Sequence, residues 1–269
     1  MIRTLGAELR RTNFSGRSVS LAEGALVVAG VVALSTRTGR GGDPLTLAGI
    51  GALGLVDDLL EPRQRRAGRP VSKGLRGHLG ALRTGHLTTG AAKALGIPLL
   101  SLAGAAAAPS PRGGAMALVD AALVAGCANL ANLLDLRPGR ALKAVLPAAA
   151  LLMLAPAGTP RSETGRHLAL AALVPGAAAM PTDLREHGML GDSGANVLGA
   201  AAGSAATRLL PAPARLSLLA GVVALTLVSE KISFSTVIDS TRTLRALDRL
   251  GRRPAPPVGP SLERDEDKR

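Results

Sequence analysis

Aromatic side chains are almost absent from this 269-residue sequence, which has no Trp or Tyr and two Phe, Phe14 and Phe234. A packed soluble core would therefore lack its usual large side chains. The shortage also argues against a nucleic acid partner, because such surfaces interleave aromatic rings with basic residues. A single cysteine, Cys127, excludes an internal disulfide, and no Cys/His spacing resembles a zinc site.

Acidic residues are also few, with 19 Asp and Glu against 32 Lys and Arg and a formal net charge of +13. The chain is nonetheless apolar, with 47% hydrophobic residues and a mean hydropathy of +0.28. Disordered chains combine charge with low hydrophobicity, so wholesale disorder is excluded. Charged and apolar residues occupy separate stretches, which is typical of an integral membrane protein. The basic N-terminal stretch has no apolar core, so we expect no cleavable signal peptide.

Eight stretches approach the ~20 mostly apolar residues that a helix needs to cross the hydrocarbon core. They are residues 18–35, 43–60, 87–108, 114–134, 141–157, 165–180, 194–210 and 214–230. All are rich in Ala and Gly, which let helix backbones approach closely in lipid. We predict an all-α, polytopic membrane bundle of about eight transmembrane helices. A soluble helical bundle is disfavoured because these stretches are too uniformly apolar for amphipathic helices.

Basic loops predict the orientation, because cytoplasmic loops carry the excess of Lys and Arg. The N-terminal stretch and residues 61–86 are the richest. Placing both inside puts both chain ends in the cytoplasm, so we predict a multi-pass protein of the cytoplasmic membrane. The domains would be a transmembrane unit at 1–230, a cytoplasmic or interfacial amphipathic segment at 231–250 and a disordered tail at 251–269.

Four isolated carboxylates collect on the cytoplasmic face in this topology. Asp57 and Asp58 end the second window, Asp135 follows the fourth, and Asp192 precedes the seventh. Oxygen ligands of this kind suit Mg²⁺, which commonly bridges to phosphates. The sequence therefore predicts a magnesium-dependent site on the inner face.

Each carboxylate also has a structural explanation. Asp192 suits a helix N-cap, where its charge meets the positive end of the helix dipole. Asp57 and Asp58 are adjacent like charges near a helix C-terminus, where the dipole disfavours anions, so function is favoured over a solvated helix end. Asp135 occupies the same unfavourable position and stays intermediate.

Lys93, near the start of the third window, has two explanations that the sequence does not separate. Its ammonium either extends to the membrane interface or acts as an intramembrane base near phosphate. The basic residues of the loop at 61–86 are better explained by membrane topology than by phosphate binding. Glu23 and Asp120 fall inside apolar windows, where charge is costly, and receive no role.

Four motifs in order resemble one family. GLVDDLL, KGLRGHLGALRTGHLTTGAAKALG, NLANLLDLRPGRALK and MLGDSGANVLGAAAG are similar to motifs of the polyprenyl-phosphate N-acetylhexosamine-1-phosphate transferases. That superfamily includes the phospho-N-acetylmuramoyl-pentapeptide translocase, and the similarity covers roughly residues 12–230. The resemblance implies a helical membrane enzyme that moves a sugar-1-phosphate from a UDP-sugar to polyprenyl phosphate, releasing UMP, with Mg²⁺ required.

Motif by motif, the resemblance implies roles for six residues. Asp57 and Asp58 match the paired aspartates near the lipid phosphate and metal, and Asp192 matches a metal-binding aspartate. Lys93 matches an active-site lysine, which makes Asp57, Asp58 and Lys93 the catalytic candidates and Asp192 and Asp58 the metal ligands. The pair Asn132 and Asp135 matches a nucleotide-binding stretch.

Departures from the family pattern motivate a second hypothesis. The family's first span is missing, the second aspartate of an Asp-Gly-x-Asp-Gly stretch is replaced at Pro138, and the late histidine-containing loop has no counterpart. The alternative is therefore a catalytically impaired relative that acts as a membrane scaffold or lipid-binding accessory protein. A transporter is disfavoured because the carboxylates collect at one face rather than at mid-depth. The sequence leaves open whether the chain forms a homodimer.

Overall fold

The computed structural model describes residues 9–13, 15–39, 42–66, 89–108 and 113–253. Across these ranges the protein is all-α, with ten α-helices and one small two-stranded sheet. The predicted all-helical class is confirmed. Most of the basic loop at 61–86 and of the tail at 251–269 lies outside the described residues.

Eight helices form the body of the protein, and each overlaps one of the eight predicted windows. They are α1 Ala22–Ser35, α2 Gly42–Arg66, α3 Thr89–Ala106, α4 Gly114–Leu134, α5 Arg140–Leu152, α6 Pro160–Leu184, α7 Gly191–Leu209 and α8 Ala212–Ser229. Three of them, α3, α4 and α8, are long and apolar enough to cross a membrane. Membrane crossing by the other five stays a prediction.

The sixth helix is longer than its window because strong end signals extend it beyond the apolar stretch. Thr159 caps it, accepting from the backbone N–H of Ser162, and the Ser162 hydroxyl accepts from the N–H of Thr159 in return. Pro160 takes the first helical position, where no N–H is needed. Pro175 lies within the helix, which nevertheless continues to Leu184.

Helix α7 is the centre of the bundle, packed against α1, α2, α4, α5 and α6. Gly, Ala and Ser make up 12 of its 19 residues, and nearly all of the helix is buried. A Cβ at Gly199 would collide with the Cys127 carbonyl of α4, and a Cβ at Gly203 would lie 3.0 Å from the Cys127 Cβ. Small residues therefore allow the close backbone approach that holds this central helix.

Many large apolar side chains point outward from the bundle. On α8 these include Leu216, Val223, Leu225 and Leu227, and on α3 Leu95 and Leu99. Exposed apolar surface on this scale marks contact with a membrane or another apolar partner. Together with the three apolar helices, it indicates membrane association.

Buried charges at the end of the bundle opposite Asp57 are paired across distant helices. Arg208, at the end of α7, donates to Asp43 in the first turn of α2. Arg215 of α8 donates to Asp120 of α4, and Arg161 of α6 lies 3.6 Å from the same carboxylate. Asp120, to which the sequence gives no role, is thus half of a buried ion pair.

A short antiparallel hairpin precedes α1 and is not foreseen in the sequence. Its strands are β1 Arg10–Thr12 and β2 Ser18–Ser20, with the Asn13 side chain accepting from the N–H groups of Ser15 and Arg17 in the turn. Backbone bonds join Ser20 to the segment between α6 and α7. The hairpin therefore covers the end of the bundle that holds Asp57 and Asp58, which we name the inner end after its predicted orientation.

The predicted amphipathic segment at 231–250 consists of two short helices, α9 Phe234–Ser240 and α10 Arg242–Arg249. Thr241 separates them, with an extended backbone. The Asp248 carboxylate of α10 accepts from Arg140 at the start of α5, 2.7 Å away. The segment is thus attached by charge pairs to the inner end of the bundle.

Candidate functional site

Lys93 lies between two of the predicted site carboxylates. Its Nζ donates to Asp57 Oδ2 at 2.8 Å and also to Asp192 Oδ2. The three residues come from three helices: Asp57 from the inner half of α2, Lys93 from the first turns of α3, and Asp192 from the first turn of α7. Asp57 and Asp192 are 36 and 99 residues from Lys93 along the chain, and the fold brings all three side chains together.

This cluster is partly accessible, in the way that a binding site requires. Asp57 and Lys93 side chains are 9% and 17% exposed, while Asp192 is 27% exposed. Gly54, one turn before Asp57, allows α2 to lie against the start of α7, because a Cβ there would lie 2.6 Å from the Asp192 carbonyl oxygen. Close helix packing thus fixes the spacing of the two carboxylates.

Asp58 has different partners from its neighbour. Its Oδ1 accepts from the backbone N–H of Asp192 and its Oδ2 from that of Ser193, both at 3.0 Å. These N–H groups lie in the first turn of α7, where they have no partner within the helix and where a negative charge is favoured by the helix dipole. Asp58 therefore caps α7 from another helix and fixes the position of Asp192.

Two backbone features complete this contact. Gly191 has a φ of +59°, and a Cβ there would lie 2.9 Å from Asp58 Oδ1. Glycine is required at this position on both grounds. From the hairpin, Arg11 donates to the backbone carbonyl of Asp58, so the N-terminal segment also contacts the site.

Asp135 lies near this cluster without contacting it. Burial, together with the negative charges of Asp183 and Asp192, raises the pKa of Asp135 well above its usual value of 3.8. Asn132 is one turn earlier, at the end of α4, and its backbone oxygen accepts from the Asp135 N–H at 3.1 Å. Asn132 and Asp135 thus form a second part of the inner face.

Asp183 belongs to this second part and is absent from the sequence-based site. Its carboxylate accepts from the Gly139 N–H at 2.6 Å, and burial raises its pKa to about 6. The signal that identifies Asp57 and Asp135 applies here too, since Asp183 is an acid just after an apolar window, at the end that the sequence predicts to be cytoplasmic. Arg11 has no comparable signal, because its contact depends on the hairpin.

The residues were also tested for a fit to Mg²⁺. In the described part of the chain, no three His, Cys, Asp or Glu residues form a group that could hold a metal. Two carboxylates, from Asp57 and Asp192, do converge on one ammonium. Because Mg²⁺ often takes one or two carboxylates together with substrate phosphates, this pair fits such an ion. Both Asp58 oxygens accept backbone N–H groups, so its role as a ligand stays a prediction.

No family model matches the chain, and no match was found among curated proteins or solved structures. The family resemblance of the sequence motifs stays an expectation.

An apolar groove runs along the bundle from this inner face. It has a volume of about 650 Å³ and lies between α4, α5, α7 and α8. Leu134, next to Asp135, lines one end, and Leu209 and Pro211 line the other. The Leu134 end of this groove is the one next to Asp135.

Proposed function

We propose that this protein is a membrane phosphoglycosyl transferase that moves a sugar-1-phosphate from a UDP-sugar to polyprenyl phosphate for cell-envelope polymers. The observation that carries the proposal is the Lys93 ammonium held between Asp57 and Asp192 at the inner ends of three helices. The ordered sequence motifs described above, which contain the same three residues, also support it. A pair of carboxylates with one bridging cation suits reactions between phosphate groups.

In the proposed reaction, an oxygen of polyprenyl phosphate attacks the β-phosphorus of the UDP-sugar. A new P–O bond forms, the bond from that phosphorus to the bridging oxygen breaks, and UMP leaves with the electron pair. Both reactants are anions, so positive charge and alignment of the reacting groups would provide most of the rate enhancement.

The chain's own residues would contribute charge and position. Lys93 would donate hydrogen bonds to phosphate oxygens when it exchanges a carboxylate partner for substrate. Asp57 would accept a proton from the attacking phosphate or orient that phosphate. Asp58 would keep Asp192 in place by capping the start of α7. Mg²⁺, held by Asp57 and Asp192, would neutralise the phosphates and the leaving UMP.

The two substrates would approach from different sides. Asn132 and Asp135 lie at the end of α4 that the basic loops predict to be cytoplasmic, and we assign them to UDP binding. The groove between α4, α5, α7 and α8 would take the polyprenyl chain, since its lining is almost entirely apolar. This arrangement would bring the lipid phosphate and the diphosphate together near Lys93.

The test is transfer of label from UDP-sugars to polyprenyl phosphate by the purified protein with Mg²⁺. We expect a lipid-linked product with at least one common donor, and a loss of about 100-fold or more in Lys93→Gln and Asp57→Asn. Glu163→Gln is the matched control, because Glu163 is exposed at the other end of α6. No product from any donor, beside an active family enzyme, would reject the proposal.

A scaffold function is the second candidate, and one observation favours it. The Lys93 charge is already satisfied by two carboxylates, as in a purely structural ion pair. The discriminating variant is the double substitution Asp57→Asn/Asp58→Asn in cells that lack the protein. Full rescue at normal protein level would favour the scaffold, and failure would favour the enzyme.

A further inference from the structure

The C-terminal segment, residues 231–253, lies along the inner ends of several helices. It follows α8, whose 18 residues extend about 27 Å, close to the ~30 Å of the hydrocarbon core. At the other end of the segment, the Arg253 N–H donates to the carbonyl oxygen of Leu184, the last residue of α6, at 3.2 Å. Between these points, Lys143 of α5 donates to the Asp248 carbonyl oxygen at 2.6 Å. These attachments hold the segment at the depth where the apolar surface of the bundle ends.

The acidic side chains of the C-terminal segment face the bundle. Asp248 accepts from Arg140 at 2.7 Å, and Asp239 accepts from Arg137 at 3.1 Å. These two are the only acids in the segment, which has six basic residues: Lys231, Arg242, Arg245, Arg249, Arg252 and Arg253. All six except Arg245 and Arg252 are exposed. Because both acids are paired with cations of the bundle, the outer side of the segment carries a surplus of positive charge.

The leucines of α10 also face away from the bundle. Leu244 and Leu247 lie on one side of the helix, because residues three apart are neighbours on its surface, and Leu250 continues this row. Their exposed fractions are 41%, 56% and 68%. Arg249, two residues after Leu247, lies about 160° away around the helix axis. A row of leucines with basic residues on the other side is typical of a helix that lies in the membrane interface.

We infer that α10 lies in the headgroup layer of an anionic bilayer, with its three leucines between the acyl chains and the exposed basic residues of the segment near the lipid phosphates. The depth of the segment and its charge identify this partner. The exposed apolar surface of α8 reaches the segment, because exposed Leu227 and Val228 are followed by exposed Ile232. Anionic headgroups attract Lys and Arg close to the membrane surface. The segment is thus interfacial rather than cytoplasmic, the two locations that the sequence leaves open. The inference requires membrane insertion of the bundle but does not rest on the proposed transferase activity.

The first test measures the depth of α10 in phosphatidylcholine bilayers that contain phosphatidylglycerol, with a nitroxide attached at Thr243→Cys in the Cys127→Ala protein. Thr243 is exposed and lies between Leu247 and Leu250 around the helix axis, so the label keeps all three leucines. Oxygen relaxes a nitroxide in lipid, and a water-soluble nickel chelate relaxes one in water. We expect oxygen to dominate at Thr243→Cys and the nickel chelate to dominate at the control, Arg249→Cys.

The second test compares the ratio of oxygen to nickel relaxation at Thr243→Cys in phosphatidylcholine bilayers with and without phosphatidylglycerol. We expect a higher ratio with phosphatidylglycerol. Arg249→Gln removes one exposed charge, which contributes about fivefold to binding at an anionic surface, and should lower the ratio by up to that factor only when phosphatidylglycerol is present. Arg37→Gln is the matched control, since Arg37 is exposed at the opposite end of the bundle, and it should leave the ratio unchanged.

Three results would overturn the inference. Dominant relaxation by the nickel chelate at Thr243→Cys would place α10 in water. Protection of this nitroxide from both reagents would assign the leucine row to a protein partner or to a second copy of the chain. The same ratio with and without phosphatidylglycerol would show that the positive charge of the segment does not serve an anionic surface.

Discussion

At the level of single residues, Lys93 is the side chain on which the candidate site depends. Its ammonium separates two carboxylates that would otherwise face each other in a partly buried position. The sequence predicts that these residues meet, because the topology places three helix ends on one face. It does not predict that Lys93 lies between them, since that depends on the relative rotation of α2, α3 and α7.

Replacing Lys93 by Met should destabilise the protein through repulsion between Asp57 and Asp192. We expect a loss of about 2 kcal/mol, less than the 3–5 kcal/mol of a fully buried pair, because the site is partly solvated. The measurement is thermal unfolding in detergent. The double variant Lys93→Met/Asp57→Asn should recover most of the loss, and a wild-type melting curve for Lys93→Met alone would contradict the contact.

Asp58 should act on stability through the start of α7. Asp58→Ala removes both acceptors of the Asp192 and Ser193 N–H groups, and we expect a cost of about 1 kcal/mol, as for a lost helix cap. Ser193→Ala keeps its backbone N–H and serves as the control, with little change expected. Equal unfolding free energies for both variants would remove the capping role.

Asp183 should make stability depend on pH in the acidic range. Its pKa is raised to about 6 by burial, so the folded state binds the proton more tightly than the unfolded state. The contribution is fully present below about pH 4 and is lost as the pH rises through 6, a change of about 3 kcal/mol. Melting temperatures of the wild type and Asp183→Asn, compared from pH 4 to 8, should diverge with this sign.

At the level of helices and strands, the long apolar runs are the part that the sequence predicts well. A stretch of about 20 apolar residues needs no tertiary information to be recognised as a helix. The hairpin is different, because strands of three residues, Arg10–Thr12 and Ser18–Ser20, are too short to show an alternating pattern. The break at Thr241 likewise interrupts a segment that its leucines alone predict as one helix.

The C-terminal helices should detach when their charge pairs are removed. Asp248 accepts from Arg140 and from Arg252. Burial raises the pKa of Asp248, but the hydrogen bond from Arg140 and the positive charges of Arg140, Arg252 and Lys143 together lower it below its usual value. Asp248→Asn should therefore increase hydrogen exchange across 234–249 several-fold. Arg242→Ala changes an exposed residue of the same helix and should leave hydrogen exchange across 234–249 unchanged. If the attachment were apolar, neither variant would change this exchange.

At the level of the whole molecule, the basic loops predict which ends of the helices face the cytoplasm. Two cysteine substitutions at exposed positions, Arg37→Cys and Arg185→Cys, test this orientation in a protein whose own cysteine is removed by Cys127→Ala. An impermeant thiol reagent should label Arg37→Cys in intact cells, and Arg185→Cys only after permeabilisation. Cys127→Ala alone gives the background, and the opposite labelling would invert the bundle.

The ion pairs between Asp43 and Arg208 and between Asp120 and Arg215 are beyond any sequence-based prediction. The first joins residues 165 apart and the second residues 95 apart. Charges in apolar windows indicate that partners exist, because isolated charge is costly there. Which partners they are depends on how the helices pack.

Helices α2 and α7 run antiparallel and are joined at both extremities, by Asp58 at one and by the contact of Asp43 with Arg208 at the other. A slide of either helix by a single turn, about 5.4 Å, would break both junctions together. The two helices therefore hold Asp57 and Asp192 at a fixed spacing. The Lys93 side chain is then the part of the cluster that can change its contacts without breaking either junction.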